Sequence, residues 1–185
     1  MSKRAVLFTS VPLLALALLT GCTSDDDPKI EDGVAVDEAS TLAAAGDRIE
    51  WQKLVEPCAE GELVVVQAVA QADMTGDGKP DAAVARACEG TDQYGASTVE
   101  VFDGASAAAQ PKRLGTLLAD VKPDKPYVDS VAFSEGALLI KANGVDEASN
   151  ATCPEVVFTY RYKFSGGAFQ QEKRETAPDE TCGPE

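Results

Sequence analysis

The chain has 185 residues, 44% of them hydrophobic, which suits one domain with a core and is too little for several. Lys and Arg number 16 against 31 Asp and Glu, and the resulting charge of −15 sets the surface against nucleic acid phosphates. There is no His, so Ser-His-Asp and Cys-His nucleophiles, His-ligated zinc and His-ligated haem are excluded together.

The first element is an address. Lys3 and Arg4 precede an uncharged run at 5–19, rich in Leu, Val and Ala and interrupted by Pro12. The run is shorter than the ~20 apolar residues of a spanning helix. A short apolar stretch behind a basic start reads as a secretory signal. Its ending, Leu19-Thr20-Gly21-Cys22, resembles the lipobox of bacterial lipoproteins. The resemblance implies removal of residues 1–21 and diacylation of the Cys22 thiol. The mature chain is then held on the extracytoplasmic face of a cell membrane by a lipid anchor, and two acyl chains hold stably where one does not. An ordinary export signal with an incidental Cys is the plainer alternative. Loss of Lys3 and Arg4 leaves 14 cations against 31 acids, a charge of −17.

Residues 22–46 read as an acidic, disordered spacer. Asp25, Asp26, Asp27, Glu31, Asp32, Asp37 and Glu38 face one cation, Lys29. Burial there cannot offset the entropy of ordering, and like charges keep such a segment extended. Its Ala-rich end, 38–45, has some helix propensity. The folded domain is expected over 47–185, with 48–55 as a short helix or an edge strand.

Strands follow. The run at 63–70, with Val64-Val65-Val66, is the densest apolar stretch and is expected as a central strand rather than an exposed edge. Next comes Asp73-Met74-Thr75-Gly76-Asp77-Gly78-Lys79-Pro80-Asp81. Oxygen-bearing side chains fall at every second position, and Gly78 sits where a tight loop turns. Ca²⁺ takes six to eight oxygens in adaptable geometry. Asp73, Thr75, Asp77, the Lys79 carbonyl and Asp81 with water form a candidate set. Position twelve is Val84 rather than Glu, which excludes an EF-hand. The stretch, with Ala82-Ala83-Val84, resembles the calcium loop of FG-GAP/VCBS repeats, which implies a structural Ca²⁺ between two antiparallel strands. The plainer alternative is a metal-free Asp/Gly turn.

Further strands are expected at 81–87, 97–102, 113–118, 127–133, 137–142, 156–164 and 168–175. The turns are Asp103-Gly104, Ser134-Glu135-Gly136 and Ser165-Gly166-Gly167. Val156, Phe158, Tyr160, Tyr162 and Phe164 alternate with Val157, Thr159, Arg161 and Lys163, so an aromatic stripe faces one way, as core or as a stacking surface. The fold class is mainly β: antiparallel meanders, blade-like or sandwich-like, four strands before and four after the 121–126 loop, with at most one short N-terminal helix.

Cys58, Cys88, Cys153 and Cys182 form an even set in an exported chain, so two disulfides are expected. The preferred pairing is Cys88–Cys153 with Cys58–Cys182. The whole layout resembles small actinobacterial lipoproteins of uncharacterised function, on Trp51 with Cys58, the 73–81 loop and Cys153-Pro154.

Two functional readings follow. The first is a membrane-tethered, non-catalytic binding or structural module whose partner is an envelope protein or ligand. The second is a cell-envelope hydrolase using paired carboxylates. The first is favoured because no acid is read as standing alone within an apolar run in a way that suggests a raised pKa.

Overall fold

Period-two alternation and Gly-bearing turns become eight antiparallel strands in two meanders. The computed structural model describes residues 41–90, 95–144 and 154–179. Helix α1 (Leu42–Ala45) and 3-10 turns at Gly46–Arg48 and Trp51–Lys53 come first. The first sheet holds β1 (Leu63–Ala72), β2 (Asp81–Glu89), β3 (Thr98–Phe102) and β4 (Arg113–Leu117). The second holds β5 (Tyr127–Ser134), β6 (Ala137–Gly144), β7 (Val156–Ser165) and β8 (Ala168–Pro178). Strand order in each sheet is sequence order, as expected when short turns join neighbours.

The sheets share one apolar core. Val99 and Val101 of the first sheet pack in it with Leu138, Ile140, Phe158 and Tyr160 of the second. The aromatic stripe of β7 is therefore core: Phe158, Tyr160 and Tyr162 are buried. A second, smaller core covers the opposite face of the first sheet. Leu42 and Val55 from the N-terminal segment cluster there with Ala82, Val84 and Phe102, and the Trp51 ring stands 6.1 Å from Phe102. Strand β2 is thus buried on both faces, which explains its apolar stretch 82–85 on both parities.

Ordered structure reaches back into the stretch assigned to the spacer. Thr41 caps α1, its Oγ1 accepting the Ala44 N–H at 3.3 Å. Leu42 and Ala43 donate their N–H groups to the carbonyls of Ser106 and Gly104. The 48–55 segment forms 3-10 turns and a second-core contact, and is not a strand.

Two expectations are corrected. First, β1 is an edge strand of its sheet, not a central one, and Leu63 is 72% exposed. The register with β2 shifts between Val66 and Ala68. A bulge there reverses the inward face: Val64 and Val66 pack on the second core, whereas Ala68 and Ala72 pack on the first. The strand supplies apolar residues to both cores, so density in this run did not mark a central position.

Second, the bridge is Cys58–Cys88, neither of the expected pairs. Val64 pairs with Cys88 at the open end of the β1–β2 hairpin, and Cys58 lies five residues before Leu63, so the entering chain folds back beside β2. The Cα atoms are 5.6 Å apart. The bridge closes a separation of 30 residues, which stabilises by about 3–4 kcal/mol through loop closure. It is the one disulfide among the described residues; Cys153 and Cys182 lie outside them.

Candidate functional site

The 73–81 loop joins β1 to β2, and its carboxylates organise its own backbone. Asp73 Oδ1 accepts the N–H groups of Gly76 and Asp77 at 2.6 and 3.1 Å, and Oδ2 accepts that of Gly78 at 3.0 Å. Asp77 Oδ1 accepts the Lys79 N–H at 2.8 Å. Gly76 and Gly78 both have positive φ, 83° and 82°, which a side chain would strain. Asp81 is fully buried. Its Oδ2 accepts Met74 and Thr75 N–H, and its Oδ1 accepts Gly104 N–H, each at 2.9 Å. Thr75 Oγ1 is closed off from solvent without a hydrogen-bond partner.

The five expected ligands share one loop, but their carboxylates serve amides. Asp73 and Asp77 are exposed and keep lone pairs free; Asp81 spends both oxygens on the backbone. Among the described residues the three metal-capable side chains that converge within 4.8 Å are Cys58, Glu62 and Cys88. Those two sulfurs are bonded to each other and are not thiolate ligands. In this conformation the carboxylates of Asp73, Asp77 and Asp81 are turned to backbone amides.

Asp81 instead links two connections. Through Gly104 it ties the β1–β2 loop to the β3–β4 turn, whose Gly104 carbonyl holds Ala43. A Cβ on Gly104 would stand 2.0 Å from the Pro80 carbonyl oxygen, so only glycine permits this approach.

Two further buried acids were not singled out from the sequence. Glu100, on β3 between Val99 and Val101, is fully buried. An acid therefore stands within an apolar run, held by arginines. Its Oε1 accepts from Glu56 N–H at 2.9 Å and from Arg86 Nε at 3.2 Å. Arg113 Nη2 lies 2.8 Å from Oε2 as an ion pair, off line for a hydrogen bond. The signal was an acid in a strand that is apolar on both parities; its partners lie on β2, β4 and the segment before β1 and were not legible.

Asp124, in the loop joining the sheets, is the other. Arg174 on β8 grips it with Nε on Oδ2 and Nη2 on Oδ1, both at 2.6 Å, and Tyr160 donates its hydroxyl to Oδ2 at 2.6 Å. Arg174 also stands over the Phe158 ring at 5.2 Å. Burial alone would raise the Asp124 carboxyl, but the Arg174 and Tyr160 hydrogen bonds hold it below its ordinary value. The Tyr160 hydroxyl is pushed well up by burial and by Asp124.

A folded-state carboxyl that is depressed stabilises above its unfolded pKa and loses that contribution as pH falls through the folded value. Asp124→Asn is accordingly expected to cost about 1–3 kcal/mol at neutral pH, discounted because Arg174 is 40% exposed. The gap to the native protein should begin to narrow below about pH 4 and close only as pH falls through the lowered folded value. Urea midpoints from pH 3 to 7, sampled at about unit steps, check this; a gap that stays constant with pH contradicts it.

No family profile, no curated protein and no solved structure matches the chain. Cys22 lies outside the described residues. No helix among them is long and apolar enough to cross a membrane.

Proposed function

We propose that the protein is a lipid-anchored, extracytoplasmic, non-catalytic module, tethered through Cys22 and presenting its β domain to an envelope partner or ligand. One observation carries the non-catalytic part. The buried acids Asp81, Glu100 and Asp124 sit in three separate networks, bound to amides, to two arginines, and to Arg174 with Tyr160. A general acid or base needs a carboxyl open to a substrate proton, and these are committed to structural donors. The anchor rests on the 19–22 lipobox and on the acidic spacer that follows.

The remaining cysteines belong to the same reading. In an exporting compartment Cys153 and Cys182, the pair left after Cys58–Cys88, form the second bridge. Mass spectrometry of the native membrane-bound protein tests anchor and bridge together. The expected product starts at a diacylated Cys22 and has no thiol that reacts with alkylating agent after denaturation without reductant. Cys22→Ser is expected to move the protein out of the membrane fraction. Unchanged retention of that variant refutes the anchor.

The structural Ca²⁺ expected at Asp73, Thr75, Asp77, Lys79 and Asp81 is also a proposal, supported by oxygen spacing alone. Binding there exchanges amide contacts for ion contacts. At a hundredfold excess over Kd it stabilises by at most about 2.7 kcal/mol. Melting curves in calcium and in EDTA, with Asp77→Ala as the control, check it. Absence of both a shift and a heat of binding removes calcium from the reading.

A further inference from the structure

The Cys58–Cys88 bridge has a charged setting that a purely structural disulfide does not require. Arg86 Nη1 donates to Cys88 Sγ at 2.8 Å and lies 3.8 Å from Cys58 Sγ. The other edge of the same guanidinium is fixed by Glu100 through Nε. Glu62 places a carboxylate oxygen within 4.8 Å of both sulfurs. Both cysteines are partly exposed, Cys58 on the loop before β1 and Cys88 in the β2 ladder. A cation beside a sulfur stabilises its thiolate, and the better-stabilised thiolate is the better leaving group.

We propose that Cys58–Cys88 is a thiol–disulfide exchange site for a dithiol reductant, with Cys88 as the leaving sulfur and Arg86 as the group that makes it leave. A thiolate of the dithiol attacks Cys58 Sγ. The S–S bond breaks, and its electron pair departs on Cys88 Sγ beside Arg86. The dithiol's second thiol loses its proton to solvent and attacks its partner sulfur in the mixed disulfide. Cys58 is expelled as a thiolate and takes a proton from solvent. The dithiol is oxidised by two electrons to a disulfide, and the Cys58–Cys88 pair is reduced by two. The site is independent of the anchor and of calcium.

The test follows reduction of the full-length protein by dithiothreitol, read by alkylation and mass shift. Arg86→Gln is expected to slow reduction roughly tenfold, Arg86→Lys to keep most of the rate, and Glu62→Gln to speed it roughly two- to threefold. Opposite directions for Arg86→Gln and Glu62→Gln are the electrostatic signature, because loss of stability speeds reduction in both. In the reduced protein, thiolate absorbance should titrate below the ordinary thiol value and move up in Arg86→Lys and further in Arg86→Gln. Two results overturn the proposal: a native rate that does not depend on dithiothreitol concentration, since reduction then waits for unfolding, or acceleration by Arg86→Gln. Should Arg86→Gln fail to fold, Arg86→Lys and Glu62→Gln decide, the former expected slower and the latter faster than native; any other order overturns the proposal.

Discussion

Glu100→Ala is expected to lower stability by about 3–5 kcal/mol, the range for removing one partner of a buried ion pair. Against the 5–15 kcal/mol that holds a typical domain, this is a large share. The carboxylate is paired with both Arg86 and Arg113, whose side chains are 14% and 35% exposed. Without it two guanidinium groups face each other in a poorly solvated place, and the Glu56 N–H loses its acceptor. Arg113 retains Glu56 Oε2 at 2.9 Å, so it is partly rescued. Among the described residues Arg86 keeps the two disulfide sulfurs, which are weak acceptors. Glu100→Gln should cost less, because its shape and one acceptor persist. Combining Glu100→Leu with Arg86→Leu should recover part of the loss, as apolar replacement of a buried pair often does. Urea unfolding of the two single variants and the pair measures this. A loss below about 1 kcal/mol for Glu100→Ala would show that the network contributes no more than an exposed pair.

Asp81→Ala comes second, at about 3–5 kcal/mol. Three backbone amides, Met74, Thr75 and Gly104, lose a charged acceptor where water does not reach. Each buried unsatisfied donor costs about 1–3 kcal/mol, and the three share one group and do not add fully. Asp81→Asn keeps the volume but turns an NH2 toward at least one of these N–H donors. The effect should spread, because Gly104 also holds Ala43 and the N-terminal segment. Hydrogen exchange is expected to quicken at Met74, Thr75, Gly104 and Ala43 in Asp81→Ala. The control is Asp73→Ala, which removes three bonds at an exposed turn. Water replaces those partners, so its cost should stay near 1 kcal/mol. Equal effects of the two variants would show that burial of Asp81 does not set the difference.

The local parts of the fold were legible. Alternation in β7, the glycine pairs at 166–167 and the Asp103-Gly104 turn are signals within a few residues. All eight strands lie where such signals place them, within three residues at their ends. Short connections then leave antiparallel neighbours as the simple outcome, and two meanders follow. Parts of the site were legible only as residue types. The acids of the 73–81 loop stand out by spacing, yet spacing does not say whether an oxygen meets a cation or an amide. Glu100 was visible between two valines, but an isolated acid is read as anomalous only when the strand is known to be buried on both faces.

By itself the sequence determined the strands, their order and the one-sided aromatic stripe, because each depends on period two and on turns that need particular residues. It also determined the absence of imidazole chemistry. Only the tertiary structure decided that β1 lies at an edge, that Cys58 meets Cys88, and that the N-terminal segment closes the second face. It also decided that Asp81, Glu100 and Asp124 each meet donors far along the chain. These depend on one bulge and on contacts between residues far apart along the chain. Such contacts are selected by the summed burial of two cores and by the cost of unpaired polar groups, and neither quantity resides in any short stretch of chain.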